Sequence, residues 1–111
     1  YMRPLTDRVV AYLEHEGFEV IDRLSFEIPD NLEVGRRDPM QLLQDVKRLN
    51  VKGADVVVLS ACVQMPSLSA LQQAQDMLGV PVTSTAACTV RNMLDLLELP
   101  ASIPGFGAVV A

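Results

Sequence analysis

The chain reads as an α/β protein, a parallel sheet with helices on both faces, folded as a single domain over residues 1–111. Three observations predict this. Segments with apolar residues at helical spacing alternate with short Val-rich runs, in the order α-β-α-β-α-β-α-β. Such alternation is what crossover helices joining parallel strands produce. Proline or glycine stands at the start or end of several of these segments, where each punctuates a helix. Half of the residues are apolar and 21% are charged, a balance ordinary for a globular domain and far from disorder.

Pro4 to Gly17 is predicted as a helix, with Leu5, Val9, Val10 and Leu13 as its apolar stripe. Pro4 suits the first turn and Gly17 the position just past the end. Phe18 to Asp22 is strand-like. Residues 24–37 are the least regular part, and Pro29-Asp30-Asn31 is turn chemistry. A connection of that length in a small α/β domain is more often functional than idle. Asp38 as N-cap and Pro39 at the first helical position open the next helix, which Lys52-Gly53 closes. Its apolar face is Met40, Leu43, Val46 and Leu49.

Asp55 to Ser60 is an apolar run expected to be a buried parallel strand. It leads into Ala61-Cys62 and then Pro66, which opens a helix to Leu78, ended by Gly79. Leu68, Leu71, Ala74, Met77 and Leu78 are its inward positions. Val80 to Ser84 is a short strand, Ala86 to Leu97 a helix carrying Val90, Met93, Leu94 and Leu97 inward. Pro100, Pro104, Gly105 and Gly107 mark an irregular connection, and Ala108 to Ala111 a final strand. The architecture is Rossmann/flavodoxin-like. A helix-first order places one more strand before residue 1, and the chain opens on Tyr1 without a methionine; both features are read as signs of a longer protein.

Charge and cysteine content narrow the function. The net charge of −5, with no basic stripe, argues against a nucleic-acid partner. No apolar run approaches the roughly 20 residues that span a bilayer, and no signal peptide opens the chain, so no membrane partner is expected. Two cysteines make no disulfide framework, which suits a reducing, cytoplasmic setting. A single histidine without paired Cys/His spacing offers no zinc site.

Cys62 is the first candidate for chemistry. A thiol at the carboxyl end of a parallel strand, just ahead of helix N-terminal amides, sits where open α/β folds bind ligands and where thiolate is favoured. The amides of Val63 and its neighbours offer donors to a carboxylate or an enolate-like oxyanion. The plainer reading is a small buried hydrophobe. Cys88, near the start of another helix, reads more simply as a packing residue. Asn31 offers amide donors from the irregular connection, against a turn residue bonding its own backbone. Tyr1 sits before the first helix, where its hydroxyl reaches the same crevice unless the terminus is disordered. Ser60, Thr83, Ser84 and Thr85 read first as local caps. His15 and the pair Arg36-Arg37 read as solvated, the arginines with a possible pull on an anion.

The segment Ser60-Ala61-Cys62-Val63-Gln64-Met65-Pro66-Ser67-Leu68 resembles the second-cysteine motif of maleate cis-trans isomerases, in the aspartate/glutamate racemase superfamily. Tyr1 to Thr6, Glu27 to Leu32 and Pro104 to Gly107 resemble the same family in the same order. The resemblance covers essentially the whole chain, and it implies one half, the C-terminal one, of a pseudo-twofold two-domain racemase-type fold. It further implies that Cys62 is the second catalytic thiol, that Tyr1, Asn31 and Val63 bind substrate, and that the first-domain cysteine lies outside this sequence.

The implied reaction is isomerisation of maleate to fumarate through a cysteine thiolate adduct, with Cys62 as the acid/base thiol. No metal or organic cofactor is expected, the partner is a small dicarboxylate, and a homo-oligomer is expected. Two other readings stand beside it. One is a different superfamily enzyme, either an amino-acid or hydantoin racemase or an arylmalonate decarboxylase. The other is a non-catalytic flavodoxin-like binding domain, although no Gly-rich phosphate loop is present.

Overall fold

A computed structural model describes residues 1–60 and 67–108. Cys62, Val63, the Pro66 helix start and residues 109–111 of the expected last strand lie outside the described residues. The order of elements is α1 (Arg3–His15), α2 (Asn31–Arg36), α3 (Gln41–Asp45) running into a 3-10 turn (Val46–Arg48), β1 (Val57–Leu59), α4 (Leu68–Leu78), β2 (Val82–Ser84) and α5 (Thr85–Leu96). Among the described residues β1 and β2 form one parallel pair, with Val57 opposite Val82, Val58 opposite Thr83 and Leu59 opposite Ser84. The protein is therefore α/β, as its sequence pattern predicts. No described helix is long and apolar enough to cross a membrane.

The core forms where the sheet meets the helices around it. Val46, Val57, Leu71, Ala74, Val82 and Ala87 make one buried cluster, flanked by Leu43, Leu49, Leu59 and Leu78. All three residues of β2 are buried, so both of its faces are covered. In β1 only Val57 is buried, and Val58 on the opposite face is 46% exposed. The expectation of a fully buried strand over 55–60 thus holds for one face, the other being only partly covered among the described residues.

Helix ends follow the local chemistry. After α1, the Gly17 amide bonds the Glu14 carbonyl and the Phe18 amide bonds the Leu13 carbonyl, with Gly17 at φ +95°. This is a Schellman closure, which favours a residue without a Cβ. The end of α5 has the same pair of bonds, Glu98 to Asp95 and Leu99 to Leu94, but places Glu98 at φ +56°. The third helical segment starts later than expected: α3 begins at Gln41 with Met40 at its N-cap, and the Asp38 carboxylate accepts from the Met40 amide at 2.9 Å in the turn before it. That segment stops at Arg48 rather than at Gly53. Gly53 instead serves a tight turn in which the Ala54 amide bonds the Val51 carbonyl, with φ +80° at the glycine.

Four expectations are corrected. No strand forms over 18–22: Phe18 and Ile21 are exposed, and the segment is tied down by the Asp22 carboxylate, which accepts from the Asn50 and Arg23 amides. A strand needs a ladder partner, and none is adjacent among the described residues. Residues 31–36, expected to be irregular, form α2, because Asp30 caps the Leu32 amide at 2.8 Å. In α4 the buried positions are Ala70, Leu71 and Ala74, while Leu68 and Met77 are exposed. In α5 only Ala87 is buried, and Val90, Met93 and Leu97 face outward. The last two reflect apolar helix faces that the described residues cover only in part, Leu68 and Val90 opening on a cleft shared with Ile103 and Phe106.

Two outcomes are expected from these ends and ties. Glu98→Gly relieves a left-handed side-chain conformation and raises stability by about 0.5–1 kcal/mol in urea denaturation, net of the added unfolded-state freedom. Loss of stability instead contradicts the assigned backbone. Asp22 has its pKa lowered from the usual 3.8, first by the Asn50 amide and then by the Arg23 amide. A depressed carboxylate stabilises above its unfolded pKa, and that contribution disappears as pH falls through the folded value. The stability gap between wild type and Asp22→Asn therefore closes as pH is lowered from 6 to below the usual aspartate range; a gap independent of pH rules this out.

Candidate active site

The parallel register brings the carboxyl ends of β1 and β2 side by side, Leu59 against Ser84. At this edge of an open α/β sheet loops and helix N-termini converge and ligands bind. Ser60 continues β1 there, and Ser67, buried, precedes α4. Between them runs the segment bearing Cys62 and Val63, outside the described residues.

Tyr1 reaches this edge. Its phenolic oxygen accepts a hydrogen bond from Ser60 Oγ at 3.1 Å, across 59 positions of sequence. Its carbonyl accepts from Ser25 Oγ at 2.6 Å and from the Glu27 amide at 3.2 Å. Thr6 Oγ1 lies 2.8 Å from Ser25 Oγ. A hydroxyl has one proton to give; since Ser25 spends its own on Tyr1, Thr6 is the donor to Ser25. Glu27 holds a left-handed backbone at φ +52°, and its carboxylate accepts from the Arg3 amide at 3.3 Å and pairs with the Arg3 guanidinium at 3.5 Å. A non-glycine residue in that region persists only where its surroundings over-determine it. Here the Tyr1 and Arg3 contacts do so.

Asn31 is the first residue of α2 and is exposed. The turn role belongs to its neighbour: Asp30, not Asn31, caps the helix. Ser84 caps α5, accepting from the Ala87 amide at 3.1 Å, as expected of a strand-end serine. Ser60 departs from that expectation by pairing with Tyr1. Thr83 Oγ1 bonds the Ser84 carbonyl at 3.4 Å and lies 3.5 Å from Cys88 Sγ. Cys88 is exposed rather than tightly packed. His15 is exposed in the last turn of α1, as read from its sequence neighbours. Arg37 is neither solvated nor available to an anion: it pairs with Asp45 and lies over the Phe26 ring.

An apolar cleft of about 140 Å³ opens between the first turns of α4 and α5 and the 103–106 segment, lined by Leu68, Ala86, Ala87, Val90, Ile103 and Phe106. Among the described residues no group of three or more His, Cys, Asp or Glu is placed to hold a metal ion. Sequence reasoning missed Ser25, and it placed Thr6 and Glu27 only within segments that resemble the family, with no role. Nothing in a lone serine, threonine or glutamate signals a partner more than 18 positions away.

The parallel pair, with a tyrosine hydroxyl bonded to the residue that follows β1, places the protein among the α/β folds. The chain belongs to the arylmalonate decarboxylase family, whose model matches residues 1–110. In sequence it is similar to the maleate isomerase of Geobacillus stearothermophilus, 55% identical over 111 residues, which are 100% of this chain and 44% of the relative.

In structure it is similar to the maleate isomerase Iso from Pseudomonas putida S16, solved as a cysteine-to-alanine variant with maleate. That match has a TM-score of 0.95 at 44% identity, covering 99% of this chain and 44% of that one. It is also similar to a cysteine-to-serine variant of Nocardia farcinica maleate cis-trans isomerase with a covalently bound succinylcysteine intermediate. There the TM-score is 0.93 at 41% identity, covering 99% of this chain and 45% of that one. The chain therefore spans less than half the length of these relatives.

The hydroxyl relay at Tyr1 has a measurable energy. Ser25→Ala is expected to cost about 1–2 kcal/mol, because it strips a part-buried carbonyl and a part-buried hydroxyl of their partner. Thr6→Ala in the same background is expected to add less than it does alone. Strict additivity in urea denaturation of the two single variants and the double variant excludes a shared relay.

Proposed function

We propose that this chain is the Cys62-bearing half of a two-domain enzyme that converts maleate to fumarate through a cysteine adduct, without a cofactor. The observation that carries this reading is the Ser60–Tyr1 bond, which holds a phenol at the strand end leading to Cys62. The similarity to maleate isomerases, one solved with maleate and one with a succinylcysteine, supports it.

In this reading the thiolate of the other half adds to one olefinic carbon of maleate. A carbon–sulfur bond forms, and the π electron pair moves to the adjacent carbon and its carboxylate. Cys62 gives that carbon its thiol proton, leaving a succinyl adduct with a single carbon–carbon bond free to rotate. After rotation the Cys62 thiolate takes the proton back, the double bond re-forms, and the first thiolate leaves with fumarate released. A soft thiolate suits conjugate addition, and a thiol tuned toward neutrality suits the proton transfer. Tyr1 and Asn31 bind the carboxylates, and the Val63 amide holds the developing enediolate charge. Association of two or more copies belongs to the same proposal, since apolar side chains on α5 stand exposed.

Incubation of the full-length protein with maleate, followed by proton NMR, is expected to show the fumarate olefinic signal. Cys62→Ala is expected to lower kcat by about 10²–10⁴-fold, the usual worth of a positioned acid/base group. The 111-residue chain alone is expected to be inactive; turnover by it sinks the two-half reading. The family match to arylmalonate decarboxylase favours one rival. Carbon dioxide release from an arylmalonate, with no fumarate from maleate, decides for that rival.

A further inference from the structure

Arg37 and Phe26 sit on the two limbs of the 24–37 connection that presents Asn31. The Arg37 guanidinium carbon lies 4.2 Å from the centroid of the Phe26 ring, and the same guanidinium pairs with Asp45 at the end of α3. Both charged side chains are largely removed from solvent, at 19% and 16% exposed. Arg48 approaches the same carboxylate at 4.0 Å from the outside. The Arg37 amide closes α2 on the Val34 carbonyl at 3.3 Å, and Val34 is the buried residue of that helix.

We propose that Arg37 is a positioning residue for substrate binding: it clamps both limbs of the 24–37 loop to α3 and so fixes where α2 presents Asn31. This rests on the reading of Asn31 as a substrate contact. Arg37 does not itself attract the dicarboxylate, because its charge is already compensated by Asp45.

Three physical points carry the assignment. First, α2 has six residues, too few to hold its place by its own hydrogen bonds, so its orientation is set by what anchors its ends. Its first turn is held by Asp30 and its last by Arg37. Second, Arg37 Nε is buried and has no hydrogen-bond partner among the described residues. The pair with Asp45 therefore leaves Nε out, and the face of the Phe26 ring is the other group that holds the guanidinium. Third, a partly desolvated cation over a ring and against a carboxylate is held more strongly than an exposed pair. The three groups join residues 26, 37 and 45, so the limbs cannot separate without exposing Arg37.

The test uses the full-length enzyme with maleate as substrate. Arg37→Lys keeps the charge but loses the guanidinium that lies over the ring. It is expected to raise KM about fivefold to tenfold with kcat within about twofold, the pattern of lost ground-state binding. Asn31→Ala is expected to raise KM at least as far. Arg37→Lys added to Asn31→Ala is expected to raise it no further, because the clamp acts through Asn31. Phe26→Leu, which removes the ring and leaves the ion pair, is expected to reproduce the Arg37→Lys effect; it replaces Arg37→Lys throughout if that variant does not fold.

Unchanged KM in a folded Arg37→Lys or Phe26→Leu variant, or additive effects with Asn31→Ala, overturns the positioning role. If Asn31→Ala leaves KM unchanged, the reading of Asn31 as a substrate contact fails first, and the positioning role falls with it. The two failures are thus distinguished.

Discussion

The parallel pairing of β1 with β2 is the constraint on which the described structure depends. With three residues in each strand, the ladder alone is too short to stand in water, so it exists because Val57 and Val82 are buried with Leu71, Ala74 and Ala87. The other side of β2 is also managed. Gln75 Oε1 accepts from the Val82 amide at 3.2 Å and from the Ala108 amide at 2.9 Å, stapling the 104–108 segment to the strand. Gly107 lies so close that a Cβ there would fall 2.4 Å from the Val82 carbonyl oxygen, at φ +80°. The Pro-Gly-Phe-Gly segment thus has a packing reason for its second glycine.

Parallel register puts both carboxyl strand ends on one side, and Tyr1 is held there in two ways of unequal strength. Its carbonyl is tied to residues 24 and 26 positions away, its phenol to a serine 59 positions away. Closing the longer loop costs about 0.8 kcal/mol more than the shorter, by the logarithmic dependence on length. An exposed hydroxyl–phenol bond contributes about 0.5–1.5 kcal/mol net, which is comparable. The backbone of Tyr1 is therefore fixed by Ser25 and Glu27, while the phenol is the easily exchanged part. In the proposed reaction, that combination lets Tyr1 trade Ser60 for the substrate.

The class of the fold and most helix positions were legible in the sequence, because alternating periodicity and end chemistry are local signals. Gly17, Asp38 and Gly79 do close to what their types require. The strand expected over 18–22 was not there, since strand formation is decided by a neighbour and not by the segment. The helix at 31–36 was hidden because Asp-Asn after proline signals a turn and an N-cap equally well. Leu68, Met77, Val90 and Met93 have core spacing and yet are exposed, because periodicity reports a helix's apolar face and not whether anything covers it. At the site, Tyr1 and Asn31 are candidates by their place in the sequence and become substrate contacts only by resemblance; the relay through Thr6 and Ser25 is not legible, because long-range hydroxyl contacts leave no pattern in sequence.

The proposed reaction also explains why one such domain is too little. An open α/β sheet offers its binding residues from a single surface, the carboxyl ends of its strands. Addition of a thiolate to a planar alkene commits one of that sulfur's lone pairs to the new bond, and it brings no proton for the neighbouring carbon. The proton must come from a second group already within reach of that carbon, and it must be recoverable after rotation. Cys88 is poorly suited to that task, engaged with Thr83 in the first turns of α5. Two equivalent thiols from two facing surfaces meet the requirement, one on each reacting carbon. A chain that brings Cys62 on one surface, beside a tethered but exchangeable Tyr1, therefore makes chemical sense as half of a pair.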